Sequence, residues 1–163
     1  MNVMELLIGL MRIVKNRNYS LGEIIMRNEE IGKIVLLTNS EIKSMLVEPE
    51  IWKKDFKGVE SLSEFERENC ESGNKNYLVV VHDPKDDSII ILACIGNRQD
   101  VNYDTLRETI KTLKSLTIEM MENCDQKVII DTTNIPTLDE DIIIELFRIY
   151  FMDDVFSKFE FSN

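Results

Sequence analysis

The run KVIIDTTNIPTLDED, residues 127–141, sets a carboxylate at the end of a β-branched stretch with short polar side chains directly behind it. Asp131 closes the apolar run, and Thr132, Thr133 and Asn134 follow. In an open α/β sheet, ligands bind beyond the carboxyl ends of parallel strands, where a carboxylate can hold a metal ion or a ribose hydroxyl. A second strand-like run, SIIILACIG, ends in GNRQD at 96–100. If the two runs are parallel neighbours, Arg98 and Asp100 reach the same edge as Asp131. That set fits a Mg²⁺-phosphate site, with Asp131 on the metal and Arg98 on a phosphate. Asp, Thr and Asn are equally what strand-to-helix turns use, because their side chains bond their own backbone. Asp131, Arg98 and Asp100 therefore form an alternative ligand site. Asp131 is the one candidate metal ligand, Mg²⁺ is the one cofactor considered, and no residue is assigned as catalytic.

Other groups lead to less. His82 and Asp83 are adjacent in a strand-like run, so their side chains point to opposite faces and cannot form a base with its orienting partner. No G-x-S-x-G nucleophile turn accompanies them. DPKDD, 83–87, lacks the glycine and distal glutamate of a calcium loop, and GNRQD lacks the glycines and lysine of a Walker phosphate loop. Cys70, Cys94 and Cys124 are widely spaced, which fits neither a disulfide framework nor a zinc site.

The last third is the most unusual part. IIIELFRIYFMDDVFSKFEF gathers Phe147, Tyr150, Phe151, Phe156, Phe159 and Phe161 into one segment that reads as a helix apolar on nearly every side. Such a helix must be buried, in its own core or against another chain. Phe147, Tyr150, Phe151, Phe156 and Phe159 are accordingly candidate interface residues, rimmed by Asp139, Glu140, Asp141, Asp153 and Asp154, which would steer a basic partner.

Charge reinforces that asymmetry. The net charge is −11. Residues 1–58 hold 9 basic and 8 acidic side chains, whereas residues 119–163 hold 3 and 11. So acidic a surface repels a phosphate backbone, which disfavours nucleic acid as a partner. The one DNA-reading arrangement to weigh is a helix-turn-helix in the near-neutral N-terminal part, with Arg12, Lys15, Arg17 and Arg27 on phosphates. No apolar run is long enough to span a membrane, and Glu5 stands where a signal peptide carries positive charge, so a cytoplasmic location is expected.

The elements that position these groups follow from periodicity. Met4, Leu7, Ile8, Met11 and Val14 share one face at helical spacing, and SLGEIIMRN reads as a second, shorter helix. KIVLLT, 33–38, reads as a buried strand, and SEIKSMLV as the next helix, stopped near Pro49. YLVVVHD and SIIILACIG, joined by PKDD, read as an antiparallel hairpin. A long helix over 103–122 carries Tyr103, Leu106, Ile110, Leu113, Leu116 and Met120 on one stripe. KVIID then reads as a parallel strand covered on both faces. Four S/T-x-x-E patterns, Ser20–Glu23, Thr38–Glu41, Ser61–Glu64 and Thr137–Glu140, mark helix starts as capping boxes.

The expected fold class is α/β or α+β: a small mixed sheet with a β-hairpin–α–β–α unit in the second half and a mainly helical N-terminal portion. One domain over 1–163 is expected, with 71–76 as a possible internal boundary between 1–70 and 77–163. The order hairpin, helix, strand, helix resembles the front half of STAS-type domains and of Sec14-like lipid-binding domains. STAS domains follow such a strand with an acidic, serine-containing loop, whereas this chain has Asp139, Glu140 and Asp141 and no serine there. The expected function is that of a non-enzymatic regulatory or adaptor-type interaction module with a protein partner or a second copy of itself. A Mg-dependent phosphate- or nucleotide-handling protein at Asp131 is the alternative, and a nucleic-acid binder through the N-terminal helices is the second.

Overall fold

Residues Ile31–Leu37, IGKIVLL, form strand β1, and it lies at the centre of the molecule rather than in a helical preamble. The computed structural model describes residues 30–162. The two helices expected before β1, the Ser20–Glu23 box and the helix-turn-helix candidates Arg12, Lys15, Arg17 and Arg27 lie outside the described residues. After β1 come helices α1 (Asn39–Val47), α2 (Pro49–Trp52) and α3 (Glu64–Glu71). Strands β2 (Tyr77–His82) and β3 (Ile89–Cys94) form the expected hairpin. Helix α4 (Tyr103–Glu122) and strand β4 (Val128–Asp131) follow, then α5 (Glu140–Tyr150), α6 (Asp153–Phe156) and strand β5 (Phe159–Ser162).

The five strands run in the order β2-β3-β1-β4-β5, with β2 antiparallel to β3 and every other neighbouring pair parallel. The fold is mixed α/β. β3 and β4 are parallel but are not neighbours, because β1 is inserted between them. The segment 71–76 therefore does not separate two sheets.

Two apolar clusters sandwich the sheet. On one face α4 and α5 bring Leu106, Ile110, Leu113, Ile143 and Phe147 against Ile34, Leu36, Ile91 and Ile130. On the other, Ile42, Met45, Phe56 and Val59 pack on Val35, Leu37, Val79 and Leu92. The period-2 alternation of strand side chains explains the partition. Ile31 departs from it, sharing a face with Ile34, because the register slips between Ile31 and Lys33. Gly32 occupies the slip, and a Cβ there would meet Ser88 Oγ at 2.7 Å. Each buried Ile, Leu or Val contributes on the order of 1.5–3 kcal/mol.

Of the expected capping boxes, the Thr38–Glu41 frame holds, two move to later residues, and α4 takes a cap at Asn102 that the S/T-x-x-E pattern did not mark. Thr38 caps α1, its hydroxyl accepting from Ser40 N at 3.2 Å while its own N–H donates to Glu41 at 3.3 Å. Asn102 caps α4, accepting from Thr105 N at 3.0 Å, so that helix spans the expected residues. Ser61 is held in a 3-10 turn behind Gly58 (φ 99°), and the box shifts to Ser63 and Glu66. Two successive turns, Ile135 N to Thr132 O and Leu138 N to Ile135 O, carry the chain past Thr137. Asp139 caps α5 instead, accepting from Asp141 N at 2.8 Å.

The aromatic C-terminal segment is not one helix. α5 ends at Tyr150, Met152 turns extended, α6 makes a single turn, and FEFS becomes an edge strand parallel to β4. The period-2 pattern of Phe159 and Phe161 against Glu160 and Ser162 sends the rings inward and the polar groups out. Phe147 then meets Phe159 and Phe161 edge-on at 5.6 and 5.5 Å and stacks with Phe151 at 5.9 Å.

Candidate functional site

Strand order decides which loops meet. β1 leads through α1–α3 toward the β3 side of the sheet, whereas β4 lies on its other side. The connections diverge at the carboxyl ends of β1 and β4, the place where open α/β sheets leave a crevice. A cleft of about 350 Å³ lies there, lined by Ser40, Ser44 and Trp52 on one wall and by Thr133, Asn134 and Pro136 on the other, with Arg98 and Glu41 completing it. Ser40 and Ser44 are one helical turn apart on α1. Trp52 is placed by an indole N–H bond to Ser44 Oγ at 2.8 Å and by stacking on Phe56 at 6.0 Å.

The charges in this cleft are one of each sign. Glu41 is buried, and its carboxylate accepts from the Thr38 hydroxyl at 2.8 Å, so it is committed to the cap. Arg98 is exposed and makes no ion pair among the described residues. It stands on a 3-10 turn, Arg98–Asp100, directly after Gly96 and Asn97. Gly96 has φ 138°, a conformation that L side chains rarely adopt, and its carbonyl accepts from Asn39 N at 2.8 Å.

Asn39 fastens the whole corner. Its side-chain amide donates to Asn97 Oδ1 at 2.9 Å and to Asn74 O at 3.2 Å, while its Oδ1 accepts from the Tyr77 phenol and from the Cys94 thiol at 3.2 Å. Cys70 Sγ bonds its backbone carbonyl at 3.2 Å. Burial pushes the Cys94 thiol up to about 12, and burial with the adjacent Cys94 raises the Tyr77 phenol too, so both stay neutral donors at neutral pH. A second cleft, of about 440 Å³, opens on the far side of α1 beside Asn39, Lys43, Arg67, Cys70 and Asn97.

The residues singled out from sequence are distributed differently from the expected set. Arg98 joins Thr133 and Asn134 in the β1–β4 cleft. Asp131 instead pairs with Lys33 Nζ at 3.6 Å and accepts from Thr133 N and Oγ1 at 2.9 and 2.7 Å. Asp100 faces Lys75 at 3.8 Å. No group of three His, Cys, Asp or Glu side chains suited to a metal ion occurs among the described residues. Of the candidate interface residues, Phe147 and Phe151 are buried, and Tyr150, Phe156 and Phe159 are half-buried against the same core. The large apolar side chains that α5 and its exit leave exposed are instead Ile142, Ile149 and Met152, the last two 68% and 72% exposed. Ser40, Ser44 and Trp52 escaped sequence reasoning. The signal was Thr38-Asn39-Ser40, a polar triplet closing β1 just as Thr132-Thr133-Asn134 closes β4.

Comparison of the chain with protein-family models, with curated proteins and with solved structures finds no match. No described helix is long and apolar enough to cross a membrane.

Proposed function

We propose that the protein is a binding module for a small ligand carrying one anionic group and a flat ring, of the nucleoside monophosphate kind, held in the cleft between the carboxyl ends of β1 and β4. The observation that carries this reading is the Arg98 guanidinium, without an ion pair among the described residues, in a switch-point cleft whose other walls include hydroxyls, an amide and the Trp52 indole. Arg98 would bond the anion, assisted by Ser40 and Thr133, while the ring lies against Trp52 and Pro136. Glu41 offsets one positive charge, so a single anionic group fits the site better than a polyphosphate.

Thermal unfolding tests it. A ligand at about a hundred times its dissociation constant adds roughly 2.7 kcal/mol to the native state. Nucleoside monophosphates should raise the melting temperature of the wild type and of Asp131→Asn alike, but not that of Arg98→Ala. A shift that requires Mg²⁺ and disappears in Asp131→Asn would move the site to the strand-end carboxylate instead.

The exposed aliphatic strip favours a second reading, a protein-interaction surface on α5. Ile142 and Ile149 are two turns apart on one helix face, Met152 follows, and Glu145, Asp153 and Asp154 surround them. Sedimentation velocity over a concentration range should show self-association of the wild type that is lost in Ile149→Asp/Met152→Asp, with melting changed by less than about 0.5 kcal/mol, as usual for surface substitutions. A wild type that stays monomeric throughout rules out a second copy as the partner.

A further inference from the structure

Helix α1 separates the Arg98 cleft from the second one, of about 440 Å³, which lies between α1 and α3. Small-ligand pockets usually measure about 300–1,000 Å³, so this cleft has the size of one. One wall is a single face of α1, with Asn39, Ser40, Lys43, Leu46 and Val47 at helical spacing. The facing wall is one side of α3, with Arg67, Cys70 and Glu71. Cys70 ties the walls together, its thiol donating to Asn39 O at 3.2 Å, and Leu46 and Cys70 pack on the buried cluster beneath. Along α1 the wall changes from amide and hydroxyl through ammonium to aliphatic within about 12 Å. The charges in the cleft are of both signs and are held apart. Arg67 is offset by Glu64 at 3.5 Å. Lys43 and Glu71 stand on opposite walls, and neither has an ion pair among the described residues. Both nonetheless act on the Cys70 thiol: burial raises it, Lys43 lowers it and Glu71 raises it again.

We propose that this cleft binds a free amino acid with an aliphatic side chain, its carboxylate on Lys43, its ammonium on Glu71 and its side chain along Leu46 and Val47. A purely anionic ligand meets repulsion from Glu71 and a purely cationic one from Lys43, whereas a zwitterion satisfies both. Val47, 67% exposed in the free protein, gains the apolar cover that nothing else in the described residues gives it. Ser40 and Asn97 supply neutral polar contacts at the other end. Charge-assisted bonds to both ends of the ligand also set its specificity. An analogue lacking either group leaves Lys43 or Glu71 facing it without a partner.

Isothermal titration calorimetry of the full chain with L-leucine, L-isoleucine, L-valine and L-methionine tests the proposal. Cys70 reports the place, because it is the half-buried thiol of the three while Cys94 and Cys124 are buried. At least one of these amino acids should bind saturably and slow alkylation of Cys70 severalfold, as resolved by mass spectrometry. Its deaminated carboxylate and its decarboxylated amine should each bind about tenfold more weakly or worse. Lys43→Met and Glu71→Gln, both at exposed positions where substitution leaves folding nearly unchanged, should weaken the amino acid by a similar factor. Absence of saturable binding overturns the proposal. So does a deaminated carboxylate that binds as tightly as the amino acid, which would make the cleft a plain anion site. Binding that leaves Cys70 alkylation unchanged, or that is equally tight in Glu71→Gln, overturns it as well.

Discussion

Phe147→Ala is expected to be the most damaging single truncation in the C-terminal third, costing about 3–5 kcal/mol. The ring is fully buried and lies among Phe151, Phe159 and Phe161, with edge-on geometry to the last two. Its loss removes the transfer energy of the ring and leaves a cavity between α5 and β5 that neither element can collapse into without breaking the β4–β5 pairing. For a chain of this length the melting temperature should fall by on the order of 10 °C. Chemical denaturation measures the effect, and the association state should not change. A variant as stable as the wild type but altered in association would return these aromatics to an interface.

Asn39→Leu is expected to cost about 2–4 kcal/mol despite the similar volume of the two side chains. Asn39 is the shared partner of the Tyr77 phenol and the Cys94 thiol, both buried and both held neutral by burial. Leucine orphans these donors where no water reaches them, and an orphaned buried donor costs more than the lost bond itself. Asn97 and Asn74 stand at the surface and can turn to water, so their share is small. Tyr77→Phe in the Asn39→Leu background should therefore recover about 1 kcal/mol or more, a coupling that urea denaturation of all four chains measures. Additive losses would place the cost in packing and not in the hydrogen-bond network.

Periodicity made the elements legible and left their neighbours unreadable. The hairpin, the long helix and β4 each announce themselves through local spacing, because 3.6- and 2-residue periods are properties of a single segment. That β1 threads between β3 and β4 is a long-range fact, and no residue in KIVLL encodes it locally. Arg98 was found because it ends a recognisable strand. Asp131 is engaged by Lys33, from the strand inserted beside it, and by Thr133, a pairing that no local pattern announces. Ser40, Ser44 and Trp52 were missed for the same reason: they line the cleft only once β1 is known to adjoin β4. FEFS was absorbed into a helix because two phenylalanines at period 2 are too short a pattern to compete with the apolar run before them. The two displaced caps show the competing principle directly, since tight turns after Gly58 and Thr132 consumed the residues that the box pattern would have used.

The central claim, a ligand in the β1–β4 cleft, has a built-in reporter, because Trp52 is the only tryptophan in the chain and lines that cleft. The measurement is a titration of Trp52 fluorescence with nucleoside monophosphates, excited at the red edge of the indole band, in the wild type and in Arg98→Ala. Saturable quenching in the wild type, weakened about tenfold or more in Arg98→Ala by loss of a charge-assisted bond, is the predicted result. No saturable change, or the same curve in both chains, would contradict it.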